Sequence, residues 1–275
     1  MPAVAGQFYN GTSDGLRRQV EGCFIHRLGP GALPGKGASA SGSEPGAERV
    51  RGGVAPHAGF MYSGPVAAHL YYAIIWGSVP GTFVIIGPNH SGYGEGVALS
   101  TEDFQTPMGI VKRDEAIGDR IAKAGIARDD VAHNFEHSLE VQLPFIQHIA
   151  PEARIVAICM RDQSHRSAMK LGAAIRKAIR DENAIVIAST DFSHYVPAEV
   201  AKRNDSMAID AILKRDPRLL EETVRRNRIS MCGYGPVMAM LEAARPESSK
   251  LLKYATSGDV SPMREVVGYA AVALW

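Results

Sequence analysis

Short apolar runs alternate with longer amphipathic ones along almost the whole chain, and few folds accommodate that rhythm. The short runs are Arg51–Ala55, Thr82–Ile86, Arg154–Met160, Ala184–Ala188 and Val266–Leu274. They are β-branched or Ala-rich and nearly free of polar breaks, as strands buried on both faces require. The longer runs read as helices: Leu16–Arg27, Pro65–Ile75, Asp114–Ala124, Leu139–Ile149, Ser167–Arg180, Ala198–Lys214, Arg218–Asn227 and Pro236–Ala244. Ser63 stands where an N-cap would precede the second helix, and Gly125 stops the third. Pro144 ends a first turn, or restarts the helix, inside Leu139–Ile149. The expectation is a single α/β domain over residues 1–275, with a central, largely parallel sheet covered by helices on both faces. The last run fits an added or edge strand of either direction. Residues 29–48 (GPGALPGKGASASGSEPGAE) are small, polar and rich in breakers, so they read as a flexible surface loop.

Composition narrows the class of function. Across 275 residues, 30 Lys and Arg face 29 Asp and Glu, a formal charge of +1. That balance gives no overall attraction toward nucleic acid or an anionic membrane. No apolar run approaches the roughly 18–20 residues of a membrane span. The opening MPAVAGQFYN has neither the basic nor the apolar region of a signal peptide. Cysteines at 23, 159 and 232 are odd in number and scattered, which fits a reducing compartment and predicts a cytoplasmic protein.

The chemistry gathers at the ends of strands. Arg51–Ala55 runs into Ala-Pro-His57, Thr82–Ile86 into Gly-Pro-Asn-His90, and Ala184–Ala188 into Ser-Thr-Asp191-Phe-Ser-His194. In an open α/β sheet the ligand crevice lies beyond the carboxyl ends of the strands. Parallel strands would therefore bring the three histidines to one rim. Cys232, in Ser-Met-Cys-Gly-Tyr-Gly-Pro, lies just before a helix, where exposed amides favour a thiolate. Cys23 and Cys159 sit within apolar patterns and read as core.

Two imidazoles and a thiolate make a three-ligand set for a divalent metal with positions left open. Iron(II), copper and zinc all accept such a set; a thiolate disfavours a hard ion such as Mg²⁺. His194 and Asp191 are then candidates for acid–base work, the carboxylate orienting the ring or else simply capping its turn. The block Glu136-His137-Ser138-Leu139-Glu140 reads first as a helix start, with Ser138 as cap. His137 and Glu140 remain candidates for the substrate pocket. His26, His69, His133, His148 and His165 look structural or solvated. The glycine-rich dinucleotide and Walker signatures are absent, as are the serine-hydrolase elbow and the His-Glu-x-x-His zinc motif.

At these residues the sequence resembles the Memo family, also called AmmeMemoRadiSam system protein B. The resemblance runs through Ala-Gly-Gln-Phe-Tyr at 5–9, Ala-Pro-His57-Ala-Gly-Phe-Met-Tyr62-Ser-Gly and Gly-Pro-Asn-His90. It continues through Glu136-His137-Ser-Leu-Glu, Ser-Thr-Asp191-Phe-Ser-His194 and Cys232-Gly. It implies the fold of class III extradiol dioxygenases, a central mixed sheet between helices. It also implies metal ligation by His57, His90 and Cys232, with the thiolate where the oxygenases place a glutamate. His194 matches their acid–base histidine, with Asp191 beside it, and Tyr62 joins His137 and Glu140 as pocket candidates. Iron is the favoured metal. The resemblance implies either a metal-dependent oxidoreductase of small substrates or a non-enzymatic protein that binds a metal or a phosphopeptide. Radical-SAM and AMMECR1-type proteins are the partners it suggests.

Overall fold

A computed structural model describes residues 2–34, 49–76 and 79–275. The greater part of the loop expected over 29–48 lies outside the described residues. Parallel strands at the heart of the sheet are β1 (Gly52–Ala55), β2 (Thr82–Pro88), β7 (Arg154–Met160) and β8 (Ala184–Ser189). Smaller strands are β3 (Val97–Leu99), β4 (Phe104–Thr106), β5 (Gly109–Val111) and β6 (Ala127–Arg128); the chain closes with β9 (Ser249–Thr256) and β10 (Gly268–Leu274). The eight-stranded sheet runs β6-β3-β7-β2-β8-β1-β10-β9, while β4 and β5 form a separate hairpin. Because β3, β10 and β9 pair antiparallel, the sheet is mixed around a parallel centre.

Both faces are buried because alternate residues of the central strands point to different helix layers. Phe83, Ile85, Ile185 and Ile187 pack with α1 (Ser13–Ile25), α2 (Gly64–Ile75) and α5 (Leu143–Ile149). Val84, Ile86, Val186 and Ala188 pack on the other side, against α3 (Glu115–Lys123), α6 (His165–Ala178), α7 (Ala198–Leu213), α8 (Pro217–Arg226) and α9 (Tyr234–Ala244). Burial on two sides explains the continuous apolar runs.

Three details refine the sequence expectations. The final strand is antiparallel and one place in from the edge, since β9 pairs outside it. The run Leu139–Ile149 is broken: α4 (His137–Glu140) stops, and α5 restarts with Pro144 in its first turn, where the missing N–H costs nothing. Strand β9, with Lys250 and Lys253 among its apolar residues, lacks the apolar continuity that marks the central strands, and β3 and β6 are only two or three residues long. A close approach also shapes the carboxyl edge of the sheet. A Cβ on Gly87 would collide with Ser138 Oγ, so only glycine lets α4 press against the end of β2.

Candidate metal centre

Three strand ends and one helix start converge at the carboxyl edge of the parallel strands. His57 follows β1, His90 follows β2, and Asp191 to His194 follow β8. Cys232 precedes Gly233, the N-cap of α9. One ligand atom from each of His57, His90 and Cys232 falls within a cluster whose members are all within 4.8 Å of one another. His57 Nε2 and Cys232 Sγ are 3.4 Å apart, and the rings of His57 and His90 meet edge to face at 5.3 Å.

Hydrogen bonds decide which nitrogens face this point. Ser189 Oγ donates to the Ser138 carbonyl at 2.6 Å and accepts from Gln142 Nε2 at 2.8 Å. Its proton is therefore committed, so His57 Nδ1, 2.9 Å away, is the donor and Nε2 keeps its lone pair. Gln142 is itself fixed, donating to the Pro56 carbonyl and accepting from Tyr71 Oη at 2.8 Å. His90 Nδ1 lies 2.9 Å from the Glu136 carboxylate, which likewise leaves Nε2 free. A carboxylate or hydroxyl behind each ring is the arrangement that orients metal-binding histidines. Burial, with neighbouring His137 and His90, holds His57 well below its usual pKa and hence neutral. Glu136 is also buried, which alone would raise its pKa; the His90 ring and the Ser138 and His90 N–H groups outweigh that and bring it to about 2.

Cys232 departs from the sequence expectation. Burial, reinforced by the charge of Asp191, pushes its thiol well above the usual range, so without a metal it is not the thiolate that a helix start suggests. The sulfur accepts from the Asp191 N–H at 3.2 Å. A metal's charge would reverse this balance, because a coordinating thiol loses its proton. The neighbourhood is tight: a Cβ on Gly233 would come within 2.7 Å of the Ser189 carbonyl oxygen. Two imidazoles whose Nδ1 atoms are each engaged behind the ring, together with one sulfur, fit a divalent ion of intermediate softness.

A family model described as Memo-like protein matches residues 1–273. The chain belongs to the Memo family. It is 45% identical to a MEMO1 family protein of Methanothermobacter thermautotrophicus, with 98% of each chain covered. A MEMO1 family protein of Methanopyrus kandleri is 44% identical over 98% of this chain and 97% of its own length. Among solved structures, an uncharacterized protein (JW3007) of Escherichia coli K12 is similar with a TM-score of 0.57 and 14% identity. It covers 82% of this chain and 100% of its own, a likeness of fold.

The remaining site candidates fall in different places around this cluster. His137 is drawn in, stacked on His90 at 4.6 Å and edge-on to His57 at 5.4 Å. His90, Glu136 and His137 form a second group close enough to share an ion. Glu140 faces away: its carboxylate accepts from the Ala3 and Val4 N–H groups and from Tyr9 Oη, fastening the N-terminal segment. Tyr62 lines a groove of about 430 Å³ with Phe8, Tyr9 and Met61. Asp191 does not orient the His194 ring. Its Oδ1 accepts the His57 backbone N–H at 2.8 Å, and His194 Nδ1 turns to the Ser230 carbonyl at 2.7 Å. The sequence reading missed Ser189, Gln142 and Ser230. Gln142 is the one with a visible signal, a polar side chain between Val141 and Leu143 that ends up fully buried.

Proposed function

We propose that this Memo-family protein binds a divalent metal through His57, His90 and Cys232, with iron(II) as the favoured ion and copper or zinc as the alternatives. The observation that carries this is the convergence of three ligand atoms within 4.8 Å, with Nδ1 of each ring already held by a partner behind it. Bound there, a divalent ion with two neutral imidazoles and one thiolate keeps a net charge of about +1, enough to polarise an anion or acidify a ligand.

In this reading the protein is a metal-dependent oxidoreductase related to the extradiol dioxygenases, acting on a small substrate. His194 exchanges protons at Nε2, and buried Asp191 holds the His57 loop in place. Radical-SAM and AMMECR1-type proteins are its proposed partners, on the family resemblance alone. A cytoplasmic location is proposed from the scattered cysteines; no described helix is long and apolar enough to cross a membrane.

A second reading draws on the thiolate itself. Sulfur in place of a carboxylate changes charge donation to the ion and its redox tuning, which suits a protein that holds a metal or a phosphorylated peptide without turnover. Elemental analysis of anaerobically purified protein, followed by oxygen uptake with catechols, separates the two. Turnover that His194→Ala abolishes while metal is retained supports the enzyme. Stoichiometric metal without turnover supports the binding protein. Absence of metal uptake by the purified chain overturns both metal readings.

A further inference from the structure

The amino edge of the parallel strands, opposite the metal centre, concentrates positive charge. A groove of about 810 Å³, the size of a small-molecule site, opens where β1, β8 and β10 meet the last turns of α6 and α9. Its lining includes six cations, Arg49, Arg51, Arg176, Lys177, Arg180 and Arg245, against two acids, Glu182 and Glu247. The whole chain carries only +1. Cations in the last turn of a helix offset the negative end of its dipole, and Arg176 and Lys177 are so placed in α6. Arg49 and Arg51 have no such explanation, because they lie on the approach to β1. The Arg51 N–H donates to the Leu274 carbonyl at 2.8 Å and its carbonyl accepts the Val186 N–H at 3.2 Å, which fixes its backbone between β10 and β8. Arg49 Nη2 donates to the Ala184 carbonyl at 2.9 Å. Burial, and then the like charge of Arg51, hold the Arg49 guanidinium below its usual pKa. The nearby acids are engaged elsewhere: Glu182 pairs with Arg120 at 2.6 Å, and Glu242 is shared by Arg176 at 2.6 Å and Arg245 at 3.1 Å. Among the described residues, no carboxylate lies within 4 Å of Arg49, Arg51, Lys177 or Arg180.

We propose that this groove binds a small ligand carrying two or more linked phosphate groups. A phosphate monoester carries about −1.5 to −2 near neutral pH, so four cations without a described carboxylate call for more than one such group. Three of the four are arginines, whose planar forks engage phosphate oxygens two at a time. A long nucleic acid is disfavoured, because the cations are confined to one groove of a chain that is close to neutral as a whole. Trp275, partly buried on the same lining, gives the group that bears the phosphates an apolar wall. The inference is independent of the metal-centre reading, since the groove lies at the other ends of the same strands.

Titration calorimetry of the metal-free protein with tripolyphosphate, in about 0.15 M salt, tests the site without any contribution from a bound metal. One ligand per chain should bind. Arg51→Ala and Arg180→Ala remove exposed side chains, so the fold should survive, and each should weaken binding by about tenfold or more, as loss of a charge-assisted hydrogen bond does. Arg161→Ala, which removes an equally exposed cation just past the carboxyl end of β7, should leave the affinity at the parent value. Citrate, a polyanion without phosphorus, should bind at least about tenfold more weakly than tripolyphosphate. ATP distinguishes the sources of the phosphates: tighter binding than tripolyphosphate names a nucleotide, and equal binding names free polyphosphate. The proposal is overturned if tripolyphosphate does not bind, or if Arg161→Ala weakens binding as much as Arg51→Ala and Arg180→Ala. Citrate that binds as tightly as tripolyphosphate overturns the phosphate class, and a single-stranded RNA oligonucleotide that binds more tightly overturns the small ligand.

Discussion

His57 Nε2 and Cys232 Sγ lie 3.4 Å apart although 175 positions separate them in the chain. The thiol hydrogen has two acceptors within reach, the ring lone pair and the Asp191 carbonyl at 3.5 Å, which is how two potential ligands can share a buried space without a charge. A metal entering between them would displace that proton and take both atoms as donors.

Each ligand therefore carries its own test. His57→Ala, His90→Ala and Cys232→Ala should each lower metal affinity by more than the roughly 10–100-fold that an outer-shell partner contributes. Circular dichroism should remain that of the parent, since all three side chains lie beyond a strand end or before a helix start and not within the elements themselves. Parent-like metal content in all three variants would remove the ligand assignment.

Metal uptake should release about one proton, because the Cys232 thiol is held protonated by burial and by Asp191, whereas burial keeps His57 neutral. Affinity should then rise by roughly tenfold per pH unit above neutrality. Calorimetry in two buffers of different ionisation enthalpy reads the proton directly. A count near zero would mean that the sulfur is already ionised or does not bind.

Glu136 supplies a pH dependence of the fold itself. Its folded pKa, about 2, lies below its unfolded value of 4.5, so its contribution is present above pH 4.5 and is lost as pH falls toward 2. The full difference corresponds to roughly 3 kcal/mol. Urea midpoints of the metal-free protein should fall more steeply on acidification for the parent than for Glu136→Gln. Parallel curves would show that the carboxylate is not held by His90 and the two N–H groups.

Glu140 should behave as a fastener and not as a ligand. Glu140→Ala leaves the Tyr9 hydroxyl and the Ala3 and Val4 amides without their acceptor. A loss of about 2–4 kcal/mol in unfolding free energy is expected, as several buried donors lose one charged partner. Metal stoichiometry should stay at the parent value. A selective loss of metal with parent stability would return Glu140 to the site.

The central strands and the helices between them were legible because burial on two faces imposes unbroken apolar runs, as in Thr82–Ile86 and Ala184–Ala188. The partly exposed β9 and the very short β3 and β6 were not, since they lack that signature. His57, His90 and Cys232 were legible as candidates because each sits where a strand ends or a helix starts. Their partners were not. Nothing local distinguishes Ser189 or Ser230 from any other serine, and Asp191 stands close enough to His194 in sequence to suggest a pairing that the fold does not make.

Local residue chemistry thus determined the alternation of elements and the presence of imidazoles and a thiol beside them. Only the tertiary structure decided which nitrogen of each ring faces inward and which state the sulfur adopts. The physical reason is that proton positions depend on acceptors and burial contributed by distant segments, such as Gln142 behind Ser189 and Glu136 behind His90, and a linear order of residues carries no record of those distances.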